Sequence, residues 1–102
     1  MKKILLCCSA GMSTSMLVQR MRKAADERGM ECHIEAQSVS TFEDAIKEFD
    51  VCLLGPQVRF QLEELRKVAL PYGKHVDAIS PMAYGMMKGD EVLEQALALM
   101  TE

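Results

Sequence analysis

The sequence is poor in aromatic residues and in positive charge. Its 102 residues include no tryptophan, two tyrosines and three phenylalanines, and 12 lysines and arginines face 15 aspartates and glutamates, which gives a formal net charge of −3. Proteins that bind a phosphate backbone need a basic surface, and those that bind single strands also use stacking rings. Nucleic acid is therefore not expected as a partner.

No apolar run is long enough to cross a membrane. The run near the start, residues 4–8, is too short for a signal peptide or a membrane span. We therefore expect a cytoplasmic protein without direct membrane insertion. In that compartment the four cysteines would be reduced thiols.

Several cofactor motifs are also missing. The sequence contains no C-x-x-C pair, no G-x-G-x-x-G and no phosphate loop ending in Gly-Lys-Ser/Thr, so thiolate zinc sites, thioredoxin-like chemistry and both standard kinds of nucleotide binding lack their spacing. We expect no metal and no organic cofactor. The length suits a single domain that spans residues 1–102.

Short apolar runs alternate with stretches of helical spacing. The runs predict strands at residues 4–7, 30–37, 51–54 and 75–79, with helices between them and an amphipathic helix at the C-terminus. A series of this kind forms an α/β fold with an open parallel sheet, right-handed crossovers and helices on both faces. The expected strand order is 2-1-3-4, with the second strand at an edge.

This order creates a switch point between the first and third strands, and ligands of open α/β sheets bind at the carboxyl ends of such strands. Two loops would meet there, at residues 8–15 and 55–57. The first loop reads Cys-Ser-Ala-Gly-Met-Ser-Thr-Ser and opens a helix. Small residues around a helix N-terminus form an anion cradle, and the positive end of the helix dipole lowers the pKa of a thiol placed there.

Cys8 is therefore the candidate phosphoryl acceptor. The candidate phosphate-binding residues are the rest of the loop: Ser9, Ala10, Gly11, Met12, Ser13, Thr14 and Ser15. The same pattern is also ordinary turn and N-cap chemistry, and this simpler interpretation stays open on spacing alone. Of the other thiols, Cys7, Cys32 and Cys52 are expected to be structural, and His33 and His75 are expected to lie at the surface.

Three segments together resemble a known family. The loop at 8–15, Leu-Leu-Gly-Pro-Gln at 53–57 and Tyr84-Gly85 are similar to the IIB component of the lactose/cellobiose/chitobiose family of the bacterial sugar phosphotransferase system. The resemblance implies that Cys8 takes a phosphoryl group from a phosphohistidine of enzyme IIA and passes it to a sugar, such as cellobiose, bound by membrane enzyme IIC. Both partners would dock near the loops, on a surface that includes Met12, Pro56 and Gln57.

Two other functions remain as alternatives. The loop resembles that of low-molecular-weight phosphatases, C-x5-R-[ST], but Thr14 stands where their arginine would clamp the phosphoryl group, and Asp77 is the conceivable general acid. A flavodoxin-like module that binds phosphate or flavin is the second alternative, since that fold uses a similar loop. Its ring would need aromatic flanks, for which the chain offers Tyr72 and Tyr84.

Overall fold

A four-stranded parallel sheet forms the centre of the molecule. The computed structural model describes residues 1–9 and 14–100. The strands are β1 (Lys2–Cys8), β2 (Cys32–Ser38), β3 (Val51–Leu54) and β4 (His75–Ala78). The helices are α1 (Ser15–Glu27), α2 (Phe42–Ala45), α3 (Leu62–Ala69), α4 (Pro81–Gly85) and α5 (Gly89–Met100), and short 3-10 helices span Val39–Thr41, Pro56–Gln61 and Leu70–Tyr72.

The strand order is β2-β1-β3-β4, as predicted, and all neighbours run parallel. In the register, Cys8 lies opposite Ser38 of β2, and Cys7 lies opposite Leu54 of β3. The carboxyl ends of β1 and β3 therefore lie side by side. The predicted switch point is confirmed by this arrangement.

Two separate cores cover the two faces of the sheet. Ile4 and Leu6 of β1 belong to the core that α1 and α5 close, together with Leu17 and Leu93. Leu5 and Cys7 point the other way. They join the core that α2 and α3 close, which contains Phe42, Ile46, Leu65 and Ala69. Successive side chains of a strand alternate between faces, so β1 is buried on both sides, as its continuous apolar run predicted.

The second strand begins later than predicted. It starts at Cys32 rather than at residue 30, because the backbone N–H of Met30 donates to the carbonyl of Ala25 and completes the end of α1. Gly29 supplies the left-handed residue of that cap, with φ of 68°. The alternation from residue 30 onward is real, but its first residue belongs to the helix cap.

The segment after β4 forms two helices, of which only the second was predicted. Ser80 begins α4, since its hydroxyl accepts a hydrogen bond from the N–H of Ala83 and Pro81 occupies the first helical position. Helix α5 then packs against α1. Gly89 lies so close to α1 that a Cβ there would be 2.5 Å from the carbonyl carbon of Arg20.

Within residues 1–9 and 14–100, none of the helices combines the length and the apolar character needed to span a membrane.

Candidate functional site at the carboxyl ends of the first and third strands

The centre of the site is the last residue of β1. Cys8, which lies before residues 10–13, and Thr14, which follows them, are both fully buried. The hydroxyl of Thr14 lies 3.7 Å from Cys8 Sγ and donates a hydrogen bond to it. Since α1 begins at Ser15, the sulfur lies beside the N-terminal end of a 13-residue helix, where negative charge is stabilised.

Gly55 lies beside Cys8 on the β3 side. Its backbone N–H donates to the carbonyl of Cys7 at 2.8 Å, which extends the pairing of the two strands by one residue. A Cβ on Gly55 would lie 3.5 Å from Cys8 Cβ and only 2.8 Å from Gln57 Oε1. The φ of Gly55 is −63°, which any residue can adopt, so glycine is needed here for space and not for conformation.

The loop after β3 is tied to α4 by one side-chain hydrogen bond. Nε2 of Gln57 donates to the hydroxyl of Tyr84 at 3.2 Å. Gln57 is exposed and Tyr84 is half-buried, with its ring against the core on the α1 side. The fold thus brings together residues from the ends of β1 and β3 and from the helix that follows β4.

The β2 side of the site is polar as well. The hydroxyl of Ser38 lies 3.2 Å from the carbonyl of Ser9 and donates to it, while it accepts a hydrogen bond from the N–H of Ser40. This contact fixes the start of the loop against the end of β2. Sequence reasoning missed Ser38, because nothing in its own segment indicates that β2 ends beside Cys8.

The structure brings several of the predicted site residues together. Cys8, Ser9, Thr14, Ser15 and Gln57 lie at the same edge of the sheet. The predicted phosphate-binding residues Ala10, Gly11, Met12 and Ser13 lie outside the described residues.

Tyr84 was predicted as part of a motif, and its contact with Gln57 adds it to the site. The signal that could have located Tyr84 is the Ser80-Pro81 pair, which predicts the start of a helix after β4. That helix places Tyr84 beside the loop that follows β3.

The other cysteines have different surroundings from Cys8. Cys7 and Cys52 lie in the core on the α2 and α3 side of the sheet. Burial, and next the hydrogen bond and charge repulsion from Cys7, raise the pKa of the Cys52 thiol well above its usual range. All four cysteines are within the described part of the chain, and none forms a disulfide bond. The Cys52 thiol therefore stays protonated, and both side chains fill space in that core.

The two histidines and Asp77 make contacts with residues other than Cys8. His33 contacts Phe49, with ring centroids 5.8 Å apart, and His75 begins β4 at the opposite edge of the sheet from Cys8. The carboxylate of Asp77 accepts hydrogen bonds from Gln95 and from the N–H of Ala78. Among residues 1–9 and 14–100, no three histidine, cysteine or acidic side chains are grouped as a metal site would require.

The family model for the lactose/cellobiose-specific IIB subunit of the phosphotransferase system (PTS) matches residues 3–95. The chain belongs to this family. It is a IIB component that takes part in phosphoryl transfer during sugar uptake, and such components work with sugar-specific IIC components.

Similar proteins cover nearly the whole chain. The oligo-β-mannoside-specific EIIB component of Bacillus subtilis is 46% identical over 98% of this chain and 97% of its own length. The cellobiose-specific EIIB component of Lactococcus lactis is 44% identical over 97% and 96%. The solution structure of a cellobiose-specific IIB component from Borrelia burgdorferi is 40% identical, covers 98% of this chain and 92% of that one, and superposes with a TM-score of 0.82.

Proposed function

We propose that Cys8 is the residue of this IIB component that carries the phosphoryl group. The observation that supports the proposal is the hydrogen bond from Thr14 to Cys8 Sγ at the start of α1. A donor and a helix N-terminus both stabilise negative charge, first on the thiolate and then on the attached phosphoryl group. Ser9, Thr14 and Ser15, together with Ala10, Gly11, Met12 and Ser13, are proposed to surround that group.

The proposed chemistry consists of two in-line transfers at one sulfur. In the first, the Cys8 sulfur attacks the phosphorus of a phosphohistidine on enzyme IIA. The S–P bond forms as the N–P bond breaks, and the thiol proton ends on the released imidazole. In the second, a sugar hydroxyl held by IIC attacks the same phosphorus. The S–P bond then breaks, and the sulfur regains a proton from the hydroxyl.

A carrier must resist water between the two transfers. The burial of Cys8 suits this need, since the phosphothiol meets an acceptor only when a partner binds and reaches it. The loop also offers Thr14 where a phosphatase uses an arginine to clamp the phosphoryl oxygens. The carboxylate of Asp77, the conceivable acid of a phosphatase, is already engaged by other groups. These features favour the relay over hydrolysis.

The proposed docking surface surrounds the site. Three elements that follow the carboxyl ends of β1, β3 and β4 carry exposed apolar side chains: Met16 (53% exposed), Phe60 (80%) and Met82 (70%). Together with Pro56, Gln57 and Met12 they would meet IIA and IIC in turn. Methionines adapt to partners of different shape, and relay contacts are small and transient. We place the protein in the cytoplasm, at the inner membrane face whenever it contacts IIC.

The sugar is proposed to be a β-glucoside or a disaccharide such as cellobiose. Two relatives of nearly equal identity are named for different sugars, oligo-β-mannosides and cellobiose. Overall similarity therefore does not discriminate between these substrates, and the choice of sugar is expected to lie in IIC.

The test is intact mass after incubation with phosphoenolpyruvate, the general phosphotransfer proteins and a IIA protein of the same family. We expect the wild-type chain and Cys7→Ala to gain one phosphoryl mass and Cys8→Ala to gain none. The two alanine variants remove neighbouring thiols from opposite faces of one strand, so they are matched controls. A gain that persists in Cys8→Ala, or no gain in the wild-type chain with active IIA, contradicts the proposal.

A further inference from the structure

The exposed carboxamide of Gln57 is hydrogen-bonded to a half-buried tyrosine. Its Nε2 donates to the Tyr84 hydroxyl at 3.2 Å, and the ring of Tyr84 is itself fixed against the core. Ordering an exposed glutamine side chain costs rotamer entropy. The hydrogen bond to Tyr84 offsets part of that cost.

The carboxamide also lies near the side chain of Cys8. Gln57 Oε1 and Cys8 Cβ lie 2.8 Å and 3.5 Å from the same point, the position that a Cβ on Gly55 would occupy. No side chain separates them on this side because residue 55 is glycine, and a Cβ there would displace the Gln57 carboxamide. A phosphoryl group attached to Cys8 adds three oxygens beyond Sγ, and the Gln57 carboxamide is a polar group beside that residue.

Gln57 and Tyr84 can form their hydrogen bond in two arrangements. In the present one, Oε1 is turned toward Gly55 and Tyr84 accepts from Nε2. An oxygen there would repel the oxygens of a phosphoryl group, which are acceptors only. A half-turn of the carboxamide exchanges its two ends, and a tyrosine hydroxyl can donate as well as accept. After the turn, Nε2 faces the phosphoryl group and Oε1 accepts from Tyr84.

We propose that Gln57 is a phosphoryl-binding residue of the phosphorylated state, and that Tyr84 is the positioning residue that holds its carboxamide in either orientation. This inference rests on the proposed function, in which Cys8 carries the phosphoryl group. It assigns Gln57 a role beyond docking, because a donor on the phosphoryl oxygens stabilises the phosphothiol itself.

The two roles differ in a measurable way. A docking residue changes the rates of transfer to and from IIA by the same factor, so the final distribution of phosphoryl groups between free IIA and free IIB does not change. A residue that binds the phosphoryl group on Cys8 stabilises one side of the equilibrium. Its loss must lower the final ratio of phosphorylated IIB to phosphorylated IIA.

The experiment measures that ratio by intact mass, with purified IIA and an approach to equilibrium from both directions. Gln57→Met keeps the length of the side chain without its donors, and we expect a ratio roughly 10-fold lower, the size of one hydrogen bond to a charged group. Gln57→Glu adds repulsion and should lower it roughly 100-fold. Tyr84→Phe should lower it about threefold. Gln61→Glu, the same charge change on the same 3-10 helix, is the matched control and should leave the ratio unchanged.

A direct signal accompanies the equilibrium. In a ¹⁵N-labelled sample, the side-chain amide resonance that Gln57→Met removes should move when Cys8 is phosphorylated, and should move less in Tyr84→Phe. An unchanged final ratio in both Gln57 variants, with slower approach to it, overturns the inference and leaves Gln57 as a docking residue. If wild-type Cys8 takes no phosphoryl group at all, the proposed function fails first and this inference falls with it.

Discussion

The carboxyl end of the sheet, where Cys8 and Gly55 lie, and the interior of the molecule contain the same residue types in different surroundings. Cys8 and Cys52 are both buried on neighbouring strands, yet Cys8 accepts a hydrogen bond from Thr14 beside a helix N-terminus, whereas Cys52 lies in an apolar core. Gly55 and Gly89 both lack room for a Cβ. Beside Gly55 the obstacle is the end of a flexible side chain, and beside Gly89 it is the backbone of α1.

Burial and residue type do not by themselves identify a reactive group. Its neighbours do. A thiol with a donor can hold negative charge, while a thiol among aliphatic side chains cannot. A glycine beside a movable carboxamide keeps space for a ligand, while a glycine beside a backbone lets two helices approach.

The largest effect is expected from the glycine pair. Gly89→Ala places a Cβ 2.5 Å from the Arg20 carbonyl carbon, so α5 must move away from α1 and open the core between them. We expect the free energy of unfolding to fall by about 2–3 kcal/mol, measured by urea denaturation.

Gly55→Ala is the matched control for that prediction. Its Cβ meets the far end of Gln57, which can turn aside, so the unfolding free energy should change by less than about 1 kcal/mol. The extent of Cys8 phosphorylation by IIA should fall instead, because the new methyl group displaces the Gln57 carboxamide beside Cys8. Equal destabilisation by the two alanines would contradict the comparison.

A smaller effect is expected from Cys52, as a dependence of the unfolding free energy on pH. An unfolded thiol ionises near pH 8.5, about its ordinary pKa, whereas burial keeps the pKa of Cys52 well above that range in the folded state. The unfolded state therefore releases a proton that the folded state retains. The contribution of Cys52 to the unfolding free energy is therefore fully present below about pH 8.5. It decreases as the pH rises above that value.

Cys52→Ala tests this linkage. It costs some packing at every pH, but the alkaline decline should be shallower than in the wild-type chain, as followed by urea denaturation between about pH 7 and 10. Cys32→Ala, at a half-buried thiol of β2, is the control. If Cys52→Ala declines as steeply as the wild type, Cys52 does not cause the pH dependence.

Much of the fold could be predicted because its signals are local. The run at Val51–Leu54 was delimited correctly, since Gly55-Pro56 stops a strand within two residues. The parallel sheet followed from the alternation of strands and helices, and the expected strand order 2-1-3-4 is the one observed. The start of β2 could not be read in the same way, because the cap of α1 extends to Met30 through backbone hydrogen bonds that leave no mark on hydrophobic periodicity.

The site was only partly predictable, for a different physical reason. The loop that contains Cys8 is contiguous, so its residue types point to anion binding by themselves. The contacts of Gln57 with Tyr84 and of Ser38 with Ser9 join residues 27 and 29 positions apart. They depend on which strand ends lie side by side, and on a short helix after β4 whose Ser-Pro start was not interpreted.

The smallest expected effect sharpens the comparison at the sulfur itself. Thr14→Val keeps the shape of the buried side chain and removes the hydroxyl that donates to Cys8 Sγ at 3.7 Å. A hydrogen bond to sulfur at this distance is weak, so alkylation of Cys8 by iodoacetamide should slow by about threefold at neutral pH, followed by peptide mass mapping. Thr14→Ser keeps the hydroxyl and should react at a rate near that of the wild type, although it opens a methyl-sized space. If the serine variant slows as much as the valine variant, the hydroxyl does not set the reactivity of Cys8. If both variants react faster than the wild type, access governs it. The difference between Cys8 and the core thiols would then come from position along the strand alone.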